Sequence, residues 1–558
     1  MRAIEAGLQF LRQNGVQYIF GIPAGSINAI YDVLFDMHEL KAIVAKHENS
    51  SGYMATAYSR ITGIPSVCVG SSGPGATNMI TPAANAWKEK LPVIFISGCI
   101  PSTKIGKGGA QELFAESLFA PITKWSTTVY CAAEIPIVLA EAWQIAISGA
   151  PGPVHIAIPI DLQMMEIEID TTPQLPLMEQ QPIAIYNEDI RRAAELIHDV
   201  GNRGVLLLGH GAKSARSEIM SFISRTGWFV ATTPRGKGAF PEDHPLSLGV
   251  YGLSGNMEAM ECLNGTGHEV LMVLGSSLGE LATSNWEVKL TQGKKLIHID
   301  QDSKEFGKNY IADISVCGKV SDSLTHIISH IENQILSQDM RTLPEQMARF
   351  IKKTEYIALG TDNTSWDTLT VIRQVGACAP VNARFYIDIG EFMTYSLQNL
   401  KVKETQDFDI DINFGGMGSG ISGSIGASLA QSDRPLICIT GDGCFFMHGM
   451  EILTAKEYCL PILFVVINNA RLGMVYHGHM LQYKRCMSDF SQNRVNISQI
   501  AASMGIRSVQ VNSLRDLQPH HMQEWISHRG PMVIEINVEG NEVPPMGARV
   551  KFLQGATY

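Results

Sequence analysis

Two polar residues fall where strands are expected to end: Asp442, set between two glycines, and Asn469, directly after a second asparagine. The run 436–440 is apolar and β-branched and stops at Gly441-Asp442-Gly443. A helical pattern follows, with Phe445, Met450, Leu453 and Ala455 at near-helical spacing. A second buried-strand run, 462–467, stops at Asn468-Asn469. One βαβ unit accounts for this pattern, so the two strands are expected to be parallel and adjacent. Asp442 and Asn469 then share the carboxyl edge of a sheet, where open α/β folds bind ligands. Asp442 offers a carboxylate oxygen, Asn469 an amide oxygen, and Arg471 a backbone carbonyl in the turn that follows. A few hard oxygen ligands, completed by phosphate and water, describe Mg²⁺ held against a diphosphate. Gly441 and Gly443 let backbone approach such an anion. A strand, a turn and a polar loop is the bland alternative. The 27 positions from Asp442 to Asn469, each at a strand end, favour the metal.

Gly-Asp-Gly, 24 residues, then Asn-Asn resembles the diphosphate–magnesium motif of thiamine diphosphate enzymes. The surrounding residues are most similar to the acetolactate synthase branch, and the resemblance covers essentially the whole chain. It implies thiamine diphosphate and Mg²⁺ as cofactors, with Asp442, Asn469 and Arg471 at the metal. Gly441, Gly443, Cys444, Leu472, Gly473 and Met474 would line the diphosphate.

Glu48, in Lys46-His47-Glu48-Asn49, resembles the activating glutamate of that family. A carboxyl group beside N1′ of the aminopyrimidine shifts the ring toward its imino form, which then accepts the proton from the thiazolium C2. Burial at a strand end raises such a carboxyl group's affinity for the proton. On its own, a Glu at a helix N-terminus is favoured simply by the macrodipole. Gly73-Pro74-Gly75-Ala76-Thr77-Asn78 is similar to the segment lying along the aminopyrimidine, which implicates Pro74 and Asn78. Gly25, in Ile22-Pro23-Ala24-Gly25, resembles the loop that reaches the thiazolium from the partner subunit. Gln111 takes the place of a glutamine facing the substrate. Gly415 and Met417, in Asn413-Phe414-Gly415-Gly416-Met417, resemble the wedge that bends the cofactor, a role suited to a pliable side chain.

Three departures from the family pattern bear on specificity. Ala110 stands where the branch usually has Phe. Gly478, in Tyr476-His477-Gly478-His479, stands where it usually has Trp. A larger or more polar acceptor pocket, bordered by Ala110, Tyr476, His477, Gly478 and His479, is the expectation. Glu391-Phe392 occupy positions of a family Gln or Ser, then His, near the diphosphate, and neither is a good phosphate donor.

The implied activity is decarboxylation of a 2-oxo acid such as pyruvate, followed by transfer of the remaining unit to a second carbonyl. A plain 2-oxo acid decarboxylase, or a specialised carboligase, is the alternative. So is a non-catalytic regulatory paralogue, against which Glu48, Asp442 and Asn469 speak. The family builds its site between two chains, which implies a homodimer or homotetramer.

The elements that must position these residues are legible in outline. The chain has 558 residues, enough for about three or four domains of ~150 residues. Strand and helix patterns alternate in three sets, giving three doubly wound α/β domains with mainly parallel sheets. The expected domains are 1–170 (pyrimidine), 185–335 (central) and 355–545 (diphosphate), with a Thr/Pro/Gln-rich linker at 171–182. Strands are expected at 16–20, 41–45, 65–69, 92–96 and 153–158, then at 204–208, 228–231, 270–274 and 295–299. Glycine turns at 209–211 and 275–279 could cradle a dinucleotide, but neither is a full GxGxxG. FAD is therefore not expected.

A net charge of −11 argues against nucleic acid or an anionic membrane as partner. Ten scattered cysteines form no CxxC or Cys/His cluster and suit a reducing compartment. The first 15 residues read as an amphipathic helix, and no apolar run is long enough to span a bilayer. The expected location is the cytoplasm.

Overall fold

In the computed structural model, the described residues are 1–168, 187–332, 350, 366–513 and 515–553. The expected linker at 171–182 lies outside them, as does most of the segment expected to separate the second and third domains.

Among the described residues, eighteen strands form three six-stranded sheets, and every strand pairing within them is parallel. The first holds β1 (Tyr18–Gly21), β2 (Lys41–Val44), β3 (Ser66–Gly70), β4 (Val93–Cys99), β5 (Trp125–Thr128) and β6 (Val154–Pro159). The second holds β7 (Gly204–Leu208), β8 (Phe229–Thr232), β9 (Ser247–Val250), β10 (Val270–Leu274), β11 (Lys295–Asp300) and β12 (Ile314–Cys317). The third holds β13 (Arg384–Ile387), β14 (Asp407–Ile410), β15 (Leu436–Gly441), β16 (Ile462–Asn468), β17 (Arg507–Val511) and β18 (Met532–Asn537). Seven strands, β5, β9, β12, β13, β14, β17 and β18, have no counterpart among the strands expected from sequence. Of these, β5, β9 and β12 lie at sheet edges, are only four residues long, and lack a continuous apolar run.

The first sheet runs β2-β1-β3-β4-β6-β5 and the third β14-β13-β15-β16-β18-β17. Numbered within each set, these are one and the same order. The two sheets also share one core: Phe20, Met54 and Phe95 cluster with Ile421, Ile425, Phe445 and Phe464. The middle sheet has its own clusters on its two faces.

The shared core is built on two helices, each following the second strand of its set. Glu48–Thr62 lies against Ser419–Ala430. Glycine makes this approach possible. A Cβ at Gly426 would sit 1.9 Å from the Met54 carbonyl oxygen, and one at Gly416 would sit 2.1 Å from the Tyr53 hydroxyl. A buried ionic knot ties the helix to the other domains: Arg60 meets Asp411, Asp411 accepts from Asn85 at 2.9 Å and from Tyr386 at 2.8 Å, and Arg235 of the central domain meets Glu89.

The helical pattern after Gly443 is not one helix. It breaks into Asp442–His448, a 3₁₀ turn Gly449–Glu451, and Ile452–Glu457. The break turns Met450 to solvent while Phe445 and Ala455 stay buried, so the expected apolar face does not run unbroken.

Candidate active site

The βαβ unit has the expected geometry. β15 and β16 are parallel neighbours, with Gly441 opposite Ile467, so Asp442 and Asn469 emerge side by side. Both side chains are buried. The Gly443 N–H donates to Asp442 Oδ1 at 2.9 Å, and the Ala470 and Arg471 amides also act on this carboxylate. Burial outweighs them and pushes Asp442 up to about 6. Asn469 Oδ1 accepts from the Arg471 N–H at 3.1 Å, in a tight turn where Ala470 takes φ +54°.

Glu391, from the start of helix Glu391–Asn399 after β13, lies beneath this edge. Its Oε1 accepts from Asn469 Nδ2 at 2.5 Å, while its Oε2 is buried without a hydrogen-bond partner. Burial pushes Glu391 up to about 7, and the nearby Asp442 adds to the rise. His477 Nε2 lies 3.6 Å from Oε2, but burial lowers its proton affinity and it approaches the Gly540 carbonyl at 3.1 Å. An alanine at Gly473 would displace the Glu391 carboxyl group, since a Cβ there would come within 2.0 Å of Oε2. Phe392 covers Gly390 and Gly441, within 2.4 Å and 2.7 Å of where a Cβ would be. Glu391 and Phe392 are thus turned inward, against the strand ends.

Asp388 is a residue the sequence reading did not single out. Fully buried after β13, it accepts from the Ile389 and Gly418 N–H groups at 2.8 Å each and from the Thr440 hydroxyl at 2.9 Å. It thereby pins the loop 413–418. Gly418 has φ +85°, and a Cβ there would meet the His448 ring at 2.6 Å. Met417 is held just ahead of it. The Met417 and Leu472 side chains reach 3.2 Å and 3.1 Å from a Cβ position on Gly443, so these three residues converge on one spot. Gly415, at φ +75°, sits in the same loop, and Cys444 Sγ is buried against the Ile389 carbonyl at 2.9 Å.

The carboxyl edge of the first sheet gathers the second set. Glu48 opens its helix four residues beyond β2, with His47 capping the Asn49 N–H. Asn78 Nδ2 donates to Glu48 Oε2 at 2.9 Å. Pro74 begins the short helix Pro74–Asn78, where its missing N–H costs nothing. The Ser72 N–H donates to Ser26 Oγ at 2.9 Å, and Ser72 Oγ donates to the Gln111 carbonyl at 2.6 Å, which ties the loops of Gly25, Pro74 and Gln111 together. Gln111 has φ +63°, a strained value for a residue with a side chain. Its side chain and Ala110 are exposed. Glu112 braces this loop by accepting from the Gly106 and Gly109 N–H groups.

Beyond Asn469, the residues expected at an acceptor pocket lie on helix Gly473–Tyr483. The Arg471 guanidinium sits 4.5 Å over the Tyr476 ring. His479 Nδ1 lies 2.9 Å from the Arg485 carbonyl, and its ring meets Tyr483 and Phe490. Gly478 faces Met546, whose Cε lies 3.3 Å from where a Cβ would be.

Among the described residues, no hydrogen bond or ion pair joins Glu48, Asn78 or Gln111 to Asp442, Asn469 or Glu391. In the central domain the glycine turns face each other: a Cβ at Gly209 would meet the Gly275 carbonyl oxygen at 2.2 Å, and one at Gly275 the Gly211 Cα at 2.6 Å. No described helix is long and apolar enough to cross a membrane.

Comparison with known proteins agrees with this arrangement. Residues 1–118 match the N-terminal TPP binding domain of thiamine pyrophosphate enzymes, 190–327 their central domain, and 388–536 their C-terminal TPP binding domain. The chain is 32% identical to the acetolactate synthase isozyme 1 large subunit of Escherichia coli (strain K12), over 98% of this chain and 96% of that protein. It is 32% identical to a probable acetolactate synthase large subunit of Methanocaldococcus jannaschii, over 98% and 93%. The acetolactate synthase large subunit of Corynebacterium glutamicum is 29% identical, over 98% and 88%. Three matched domains in the order of the three sheets, with full-length relatives of one kind, place this chain in the thiamine diphosphate enzyme family, as an enzyme of the acetolactate synthase-like branch.

Proposed function

We propose that the protein decarboxylates a 2-oxo acid such as pyruvate and joins the remaining unit to a second carbonyl compound, using thiamine diphosphate and Mg²⁺. The observation that carries this reading is the edge formed by Asp442 and Asn469. Asp442 and Glu391 are two buried carboxyl groups that repel each other, one with an unpaired oxygen. A cation held by Asp442 would offset that charge. Among the described residues, no three His, Cys, Asp or Glu side chains cluster as a self-sufficient metal site. A diphosphate must then supply oxygens too, which suits Mg²⁺. Asp442, Asn469 and the Arg471 carbonyl would hold the metal. Gly441, Gly443, Cys444, Leu472, Gly473 and Met474 would surround the phosphates.

Bound thiamine diphosphate supplies a carbon nucleophile for the keto carbon and an electron sink for the departing carboxylate. The chain's own part is to bind, bend and activate. Met417, backed by Leu472 against Gly443, is the wedge, with Gly415 giving its loop room. Glu48 would hold the proton shared with the pyrimidine N1′; Asn78 donates to its Oε2 and leaves Oε1 available for that proton. Pro74 would lie beside the aminopyrimidine, and Gly25 and Gln111 would border the substrate.

The family resemblance supports a site completed by a second copy, with Glu48 of one chain serving the diphosphate edge of the other. Phe446, Met447 and Met450 beside Asp442, and Phe114 beside Gln111, are exposed apolar residues suited to that contact. A homodimer, or a homotetramer of two such pairs, is the proposed assembly.

A larger or more polar acceptor is a second reading. Ala110 and Gly478 support it, since both positions are small and Ala110 is exposed. Incubation with pyruvate, thiamine diphosphate and Mg²⁺, following CO₂ and acetolactate together, tests the proposal. CO₂ without a ligated product would point to a decarboxylase, and no turnover of pyruvate to another donor.

A further inference from the structure

The segment joining Asp442 to Asn469 does more than connect two strands. From its 3₁₀ turn, Glu451 reaches across to the first domain. Its Oε1 accepts from the backbone N–H of Lys46 at 2.9 Å and of His47 at 3.1 Å. Its Oε2 accepts from the Thr454 hydroxyl at 2.7 Å. The side chain is 1% exposed, so these bonds are shielded from water. Two further residues of the same segment hold the same stretch of chain. The Tyr458 hydroxyl accepts from the Val44 N–H at 2.8 Å and donates to the Ala42 carbonyl at 3.2 Å. Glu457 pairs with Lys46 Nζ at 2.6 Å.

These contacts fall on the open edge of β2 and on the residues just before Glu48. β2 is an edge strand with β1 as its sole neighbour in the sheet, so its outer N–H and C=O groups need other partners. Tyr458 satisfies two of them. Glu451 takes the last two N–H groups ahead of Glu48, both inside the turn that decides where the Glu48 carboxylate emerges. A buried carboxylate is costly unless fully bonded. Here its backbone acceptor bonds to the first domain end on Lys46 and His47, and Ser50, two residues past Glu48, also acts on it.

We propose that Glu451 is a positioning residue for Glu48: by holding the Lys46 and His47 N–H groups it sets the reach of the Glu48 carboxylate toward the cofactor. The inference rests on the role given to Glu48 above. In the proposed dimer, the unit that grips one diphosphate would also hold the acid that serves the other cofactor.

The test follows the C2 proton of bound thiamine diphosphate exchanging with D₂O, read by acid quench and NMR, beside calorimetric affinity for thiamine diphosphate with Mg²⁺ and thermal melting. Glu451→Ala should slow exchange and turnover by about 10- to 100-fold, the scale of an ångström-level misplacement, with cofactor affinity kept. Glu451→Gln should restore both, because its amide oxygen still accepts from both N–H groups while its nitrogen donates to Thr454. Glu451→Asp, which keeps the charge but is one methylene short, should be slow as well, and it serves if the alanine variant does not fold. Wild-type exchange in the alanine or aspartate variant would overturn the proposal. So would a glutamine variant as slow as the alanine one, which would mean that charge and not position matters. Glu48→Gln is run in parallel: wild-type exchange there would remove the Glu48 assignment itself.

Discussion

Asn469 donates to Glu391 through a 2.5 Å bond from Nδ2 to Oε1, and that bond fixes which way the asparagine amide faces. With its nitrogen committed to Glu391, Asn469 turns Oδ1 toward the Arg471 turn, on the side of Asp442. Glu391→Leu should therefore weaken Mg²⁺-dependent binding of thiamine diphosphate by about 10- to 100-fold, the usual cost of losing a residue that orients a metal ligand. Glu391→Gln keeps an acceptor for the amide and should bind nearly as well. Calorimetry at several Mg²⁺ concentrations checks both.

Glu48 and Asp442 should separate chemistry from binding. Glu48→Gln is expected to lower kcat by about 10²- to 10⁴-fold, the range of general acid–base catalysis, with the cofactor still bound. Asp442→Ala is expected to lose binding of metal and cofactor together. Equilibrium dialysis alongside steady-state kinetics distinguishes the two patterns.

The helix pair Glu48–Thr62 and Ser419–Ala430 depends on a missing side chain. At Gly426 a methyl group would overlap the Met54 carbonyl, only 1.9 Å away, and backbone cannot swing aside as a side chain can. Gly426→Ala should cost about 3 kcal/mol, at the upper end for overpacking. Denaturant unfolding measures the loss, and activity should fall with it because the helix carries Glu48.

Stability should decline in mild acid through buried imidazoles. His155 lies between the hydroxyls of Ser97 and Ser126, 2.9 Å from each, and stacks on Phe119 at 3.9 Å. Burial lowers its pKa to about 3 from the ordinary histidine value near 6.5. The folded state thus binds fewer protons than the unfolded chain. The stability this gives is complete above pH 6.5 and is lost as pH falls from there toward 3. At pH 5 the loss is about 2 kcal/mol from this residue alone. Melting temperatures at pH 7.5 and pH 5 should differ less in His155→Phe, which keeps the stacked ring but cannot be protonated.

Much of this was legible in the sequence because the chemistry sits where periodicity breaks. The runs 436–440 and 462–467 are continuous, buried and bounded by Gly or Asn, so the strands and the residues ending them could be read together. The short edge strands β5, β9 and β12 lack such runs, and they, like β13, β14, β17 and β18, emerged only from pairing. Glu391 looked like a misplaced phosphate contact. Its partner, Asn469, lies 78 positions away in the chain, and no local pattern connects them. Asp388 and Glu451 were equally silent. Each is a single acid with bonds to backbone far away in sequence, Asp388 to Gly418 and Glu451 to Lys46 and His47, and only the folded chain reveals what they hold.

Calorimetric titration of the purified protein with thiamine diphosphate, once with Mg²⁺ and once with a chelator, tests the proposed site most directly. Saturable binding with Mg²⁺ that disappears under chelation, and that is absent in Asp442→Ala, is the expected result. No binding under either condition, or binding indifferent to both the metal and Asp442, would contradict it.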